Sequence, residues 1–225
     1  MAHGVRGRLV SASFADAWLA SLPEADAPSA HVLRALDAWA ERRDASLGPA
    51  SSPRAIADIA VVPLLKILGY SIERRLDEPG RAVLNALAPS RAVIPVVIVP
   101  WNESLERTWR GVVIEGIRSD ARWCFCANGG AFRVVDGHQT WSRNYLEFNL
   151  ALVPREPHAA ALLWSLARAD AMTARLDGRE VLTVPGLSRV SVEKGHEPCR
   201  GVRVGVHAWS TTELTVHTFR VSGSD

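Results

Sequence analysis

Between Ala92 and Asp136 the chain reads AVIPVVIVPWNESLERTWRGVVIEGIRSDARWCFCANGGAFRVVD. Ala92 to Pro100 is rich in valine and isoleucine without alternation, the pattern of a strand buried on both faces. Ser104 to Ile117 predicts a helix with Ser104 as N-cap. Its core stripe is Leu105, Trp109, Val112, Val113 and Ile117, and Glu106, Arg107, Arg110 and Arg118 form the opposite face. Arg122 to Ala127 and Ala131 to Val135 flank Asn128-Gly129-Gly130, residues that tolerate positive φ, so these two runs predict a hairpin. A strand, helix and strand joined this closely imply a parallel pair with a right-handed crossover. The expected class is mixed α/β, an α+β domain with a mixed sheet.

The flanks have their own punctuation. In Ser29 to Arg43, the residues Val32, Leu33, Leu36, Trp39 and Ala40 recur at helical spacing. After the break SLGPASSP at residues 46 to 53, Ser52-Pro53 reads as an N-cap followed by a first-turn proline. The helix that follows runs to Leu68 and stops at Gly69, and Pro63 bends or divides it. Leu76 to Pro89 fits either a short strand or a helical turn. TWSRNYLEFNLALV predicts an edge strand, and Pro157 opens a helix through Met172 with Ala161, Leu162, Trp164, Leu166 and Ala167 inside. Beyond it, Val202, Val204 and Val206 alternate, as do Leu214, Val216 and Thr218, around a Ser210-Thr211-Thr212 turn. The expected organisation is a helical segment over residues 1–50, an α/β domain over 51–175 and an appendage over 176–225.

A net charge of +2 gives no global basic field. Of the 26 basic residues, all but Lys66 and Lys194 are arginine, which suits bidentate phosphate contact but is also what a GC-rich genome writes. Cys124, Cys126 and Cys199 form neither an even set nor a metal-ligand spacing, and Cys199 with His196 is the only other pair that a zinc site would have to recruit. Buried free cysteine suits a reducing compartment better. No apolar run reaches the ~18 residues of a membrane span, and the start lacks a signal-peptide core. The expected location is cytoplasmic, with no membrane partner.

The segments PLLKILGY, RWCFCANGGAFRVVD, YLEFNLALV and LLWSLARA, with the strand and helix between the first two, resemble the N-terminal region of large adenine-specific DNA methyltransferases, including type IIG restriction-modification enzymes. The resemblance covers residues 55 to 172 and implies a PD-(D/E)XK nuclease-like, restriction-endonuclease-like core. In that family the catalytic strand ends in Glu-x-Lys. Here Val97, Ile98, Val99, Pro100 and Trp101 stand in that place, and none can bind magnesium or orient a water. Neither the glycine-rich S-adenosylmethionine loop nor the Asn/Asp-Pro-Pro-aromatic tetrapeptide of the family's methyltransferase domain occurs in the chain. LSRVSVEKGHEPCRGVRVGVHAW departs from the helical stretch expected between the two domains, which suggests a truncated or independent fragment.

The resemblance therefore implies a non-catalytic DNA-contacting or structural module with a degenerate active site, whose partners are DNA and a methyltransferase polypeptide, and which needs no cofactor. Candidate DNA contacts are Trp101 for stacking, Asn102, and the arginines Arg107, Arg110, Arg118 and Arg122. Those arginines also suit an ordinary solvated face, with Glu103–Arg107 and Glu106–Arg110 at i,i+4 spacing. Trp109 and Trp123 suit the core, and Asn128, Gly129 and Gly130 are a structural turn. No metal site is expected. Two alternatives stay open: a magnesium-dependent endonuclease that uses Asp77 or Glu78 with Glu103, and a small-molecule-binding domain with an enclosed apolar pocket beside Trp101.

Overall fold

The computed structural model describes residues 4–137 and 143–172, with the short pair 175–176 and 179–180. The appendage hairpin, His196 and Cys199 lie outside the described residues.

Serine starts four of the helices, and in each its hydroxyl accepts a backbone N–H of the first turn. Ser11 caps α1 (Ala12–Ser21), Ser29 caps α2 (Ala30–Ser46), Ser52 caps α3 (Pro53–Ile56) and Ser104 caps α5 (Leu105–Arg118). Between α3 and α4 (Val62–Ile67) the chain passes through a π turn, Ala57–Val61. Pro63 explains it, because a proline has no N–H for Ile59 and the ladder must widen around it. The Ala60 carbonyl in this turn accepts the Trp39 indole N–H at 2.8 Å. The expected division at Pro63 thus also anchors α2. Gly69 takes φ +91 beyond the last turn, where a side chain would be strained.

Seven strands form the sheet: β1 (Val5–Gly7), β2 (Ser71–Glu78), β3 (Arg81–Leu87), β4 (Val93–Ile98), β5 (Trp123–Ala127), β6 (Ala131–Asp136) and β7 (Tyr145–Asn149). Their spatial order is β1-β7-β6-β5-β4-β3-β2. β2, β3 and β4 are an antiparallel meander, β4 and β5 are parallel across the α5 crossover, and β5, β6, β7 and β1 are antiparallel. The chain is therefore an α+β protein with a mixed sheet, as its pattern predicts. The ambiguous stretch from Leu76 to Pro89 is resolved as the β2–β3 hairpin, turned at Gly80 with φ +79.

Alternation along the strands sorts side chains to two faces. Trp123, Phe125 and Ala127 point into one core with Leu84, Val96, Ile98, Phe132 and Phe148, beneath α1, α2, α3, α4 and α6 (Pro157–Ala167). Cys124 and Cys126 point the other way, under α5, with Val97, Val99, Leu105, Trp109, Val112, Val113 and Val135. Both thiols are buried and free, and burial pushes each up to about 12, so neither is a nucleophile near neutral pH. Trp109 and Trp123 are core residues, each 7% exposed.

Four expectations need correction. The N-terminal third is not wholly helical, since Val5–Gly7 adds β1 to the sheet. That strand covers β7, so Tyr145–Asn149 is an interior strand and not an edge. Ile117 is 67% exposed and Gly116 takes its place against the sheet, where a Cβ would stand 2.7 Å from Cys124 Sγ and no larger residue fits. α6 ends at Ala167 and not Met172, because the next residues turn extended and the Ala169 N–H donates to the Leu68 carbonyl at 2.8 Å. Among the described residues, no helix is long and apolar enough to cross a membrane.

Candidate functional site

α5 lies over β4 and β5, with Val135 of β6 also beneath it, and among the described residues no other helix packs on this face of β6, β7 and β1. Strand alternation puts polar groups there: Arg133 on β6, Tyr145, Glu147 and Asn149 on β7, and Arg6 on β1. Register sets Arg133 opposite Glu147 and Glu147 opposite Arg6. Glu147, with 5% of its side chain exposed, therefore accepts from both arginines, Arg6 Nε on one oxygen and Arg133 Nε on the other. Arg133 Nη2 reaches Glu106 Oε1 at 2.9 Å, and its guanidinium stacks 3.9 Å above the Tyr145 ring. Its remaining nitrogen, Nη1, is buried with no hydrogen-bond partner among the described residues.

The physics of this cluster favours charge. Burial alone would lower the Arg133 pKa, but the hydrogen bond and field of Glu147 override it and hold the guanidinium protonated. Burial likewise raises the Tyr145 phenol above its ordinary value, with Glu106 adding to the rise and Arg133 opposing it. The carboxylates differ in exposure, since Glu147 is enclosed while 45% of the Glu106 side chain is in solvent.

A second construction fixes the end of β4. Asn128 Oδ1 accepts the N–H groups of Gly130 at 3.0 Å and Ala131 at 2.8 Å, and its Nδ2 donates to the Glu103 carbonyl at 2.9 Å. The turn is thereby tied to the loop that carries Trp101, and the indole lies on Gly129. A Cβ there would stand 1.5 Å from Trp101 Cε3. Sequence reading assigns the glycines here to positive φ, but neither Gly129 nor Gly130 adopts it; Gly129 is required because the tryptophan needs the space.

Together these parts line a groove. One cavity of about 410 Å³ is bounded by Val5, Arg6, Trp101, Asn128, Glu147 and Asn149. Its neighbour of about 270 Å³ is bounded by Arg6, Ser104, Glu106, Arg133, Tyr145 and Glu147 at the N-terminus of α5. The two share Arg6, Asn128, Ala131 and Glu147.

Of the residues singled out from sequence, Trp101 and Asn128 are in the groove, with Gly129 beneath the indole and Gly130 at the rim. Asn102 instead donates to the Pro49 carbonyl at 3.4 Å. Arg107 and Arg110 are exposed on α5 and make no ion pair among the described residues; the predicted partner of Arg110, Glu106, is on Arg133. Arg118 pairs with Glu115 at 3.0 Å, and Arg122 stacks on Trp123 and lies 3.8 Å from Asp136. Asp77, Glu78 and Glu103 are not brought together. Asp77 bonds Arg75 and Glu78 bonds Arg81, on an edge strand two positions from β4, while Glu103 follows β4. No group of three or more His, Cys, Asp or Glu among the described residues is placed to hold a metal ion.

Sequence reasoning missed Arg6, Arg133, Tyr145, Glu147 and Asn149. A signal was present for most of them: Arg133 is a charge set between Phe132 and Val134 in an apolar strand, and Tyr145, Glu147 and Asn149 alternate with Leu146 and Phe148. No protein family, curated protein or solved structure matches the chain.

Proposed function

We propose that this chain is a non-catalytic DNA-contacting module of nuclease-like architecture, acting beside an adenine methyltransferase polypeptide in a restriction-modification system in the cytoplasm. The observation that carries the reading is Trp101. It follows the strand that holds the acid and lysine in nucleases of this kind, and its indole lines an open groove over Gly129. An indole at a groove stacks on bases whatever their identity. The parallel β4–β5 pair joined through α5 supports the reading.

Arg6 at the groove and the exposed Arg107 and Arg110 on α5 supply cations for a phosphate backbone. The rim residues Arg6, Gly130 and Asn149 are exposed, and polar Asn128 and Glu147 share the lining with apolar Val5 and Trp101. That favours an extended polymer over a small apolar ligand, which prefers an enclosed pocket. Gel-shift titration of the chain with double- and single-stranded DNA across a salt series, with and without the methyltransferase polypeptide, tests the reading. Binding that weakens steeply with salt and is lost in Trp101→Ala is expected. No binding at low salt in either setting ends it.

A further inference from the structure

The groove at the N-terminus of α5 has an imbalance that its present contacts only half resolve. Arg133 is 3% exposed and Glu147 4%, so these two are fixed by the fold, and Arg6 adds a second cation to the same carboxylate. Two guanidinium groups on one buried carboxylate, beside the positive end of α5, call for a second anion. Glu106 answers it from that helix through a single hydrogen bond, while Arg133 Nη1 has no hydrogen-bond partner among the described residues. A buried donor without an acceptor is uncommon enough to need an explanation.

We propose that this is a phosphate-binding site in which Glu106 is a displaceable stand-in for the ligand. A phosphate group entering the cavity of about 270 Å³ takes the place of the Glu106 carboxylate on Arg133 Nη2, gains Nη1 as a second donor and is flanked by Arg6. An arginine with both terminal nitrogens free for one anion binds it bidentately, which a single side-chain carboxylate reaching from α5 does not achieve here. The displaced Glu106 has a destination. Arg110 is one helical turn on, exposed and without an ion pair among the described residues, at the i,i+4 spacing where Glu before Arg is favourable. Glu106 thus has two positions, on Arg133 when the site is empty and on Arg110 when it is filled.

The phosphate chemistry is shared by a nucleic-acid backbone and a free phosphate ester. The inference deepens the DNA reading but does not need it to be right. Titration calorimetry of the full chain with inorganic phosphate and, separately, with a single-stranded oligonucleotide distinguishes the two sources. Glu106→Gln keeps an acceptor on Arg133 but removes the competing charge, and it should tighten inorganic phosphate binding by about tenfold, the equivalent of one charge-assisted hydrogen bond. Arg110→Ala should weaken it by about twofold, the worth of the i,i+4 pair. Arg6→Ala, at a largely exposed side chain, should weaken it further. Phosphate affinity that is unchanged or lower in Glu106→Gln overturns the proposal, as does an absence of phosphate binding in both wild type and Glu106→Gln. If oligonucleotide binds while phosphate does not respond to Glu106→Gln, this site is wrong and the DNA reading stands. If phosphate responds as described and no oligonucleotide binds, the site holds for a free phosphate ester and the DNA reading falls.

Discussion

The two faces of the sheet solve different problems. On one, α1, α2, α3, α4 and α6 bury a continuous apolar cluster that runs from Val5 and Phe148 at one side to Ala82 and Leu84 at the other. On the other, α5 covers the centre, and the strands beyond it carry Arg133, Glu147, Tyr145 and Arg6. Both faces are made by the same strands, residue by residue: Phe132 beside Arg133, Leu146 and Phe148 around Glu147. The lesson is that the covered face holds the protein together by area removed from water, whereas the uncovered part is held by matched charge and is where a groove can form. Apolar burial tolerates exchange of shape within limits, but a buried ion pair does not tolerate loss of one member.

The largest test of that contrast is Glu147→Leu. It strands the Arg133 guanidinium with only the half-exposed Glu106, and should cost about 3–5 kcal/mol in urea unfolding. The double replacement Arg133→Met with Glu147→Leu should recover most of it, since removing both charges leaves nothing unpaired. Phe132→Leu, directly beside Arg133 but on the apolar face, should cost less than about 1.5 kcal/mol. If Glu147→Leu is no worse than Phe132→Leu, the distinction between the faces is lost.

The α5 side offers a smaller effect from packing. In Gly116→Ala the new methyl meets Cys124 Sγ at 2.7 Å, a sulfur that is itself fully buried and has nowhere to go. A destabilisation of about 1–3 kcal/mol is expected, measured by thermal or urea unfolding. Gly116→Ala combined with Cys124→Ala should restore much of the loss, because the contact is specific.

How much of this was legible beforehand divides along the same line. The β4–α5–β5–β6 order was readable because each element writes its own local pattern: an apolar run, a stripe with an N-cap serine, a turn between two short strands. What was not readable depended on long-range pairing. β1 is three residues, VRG, with no periodicity to betray it, and only its pairing with Leu146–Phe148 makes it a strand. Without β1, β7 looks like an edge and Arg6 has no reason to meet Glu147. Gly116 against Cys124 was hidden for a similar reason: a helical wheel ranks hydrophobicity and so chose Ile117, while the sheet selected for small size. Trp101 was picked out as a residue of interest, but its seat on Gly129 belongs to tertiary structure alone.

The cysteines beneath α5 give a pH-dependent test. Their folded pKa values are raised to about 12, so between the ordinary thiol range and that value the unfolded chain has released protons that the folded chain keeps. The unfolded state is then favoured as pH rises. The contribution to stability is complete below about pH 8.5 and falls by about 1.4 kcal/mol per pH unit per thiol above it. Urea midpoints measured from pH 8 to 10.5 should decline, and Cys124→Ala with Cys126→Ala should flatten the decline. A slope equal to wild type in the double variant would mean that the thiols are not shielded as described.

The smallest expected effect probes the apolar face at its one polar join. Trp39 is 2% exposed, and its indole N–H meets the Ala60 carbonyl in the π turn that Pro63 imposes. Trp39→Phe keeps much of the packing and removes the donor, so the carbonyl is left in an apolar site and about 1 kcal/mol is lost. Pro63→Ala changes the balance, because an N–H at 63 lets the helix close normally and Ala60 no longer depends on Trp39. In that background Trp39→Phe should cost less than it does alone. An equal cost in both backgrounds would show that Trp39 acts only through its volume, and that the face it belongs to has no polar dependence at this point.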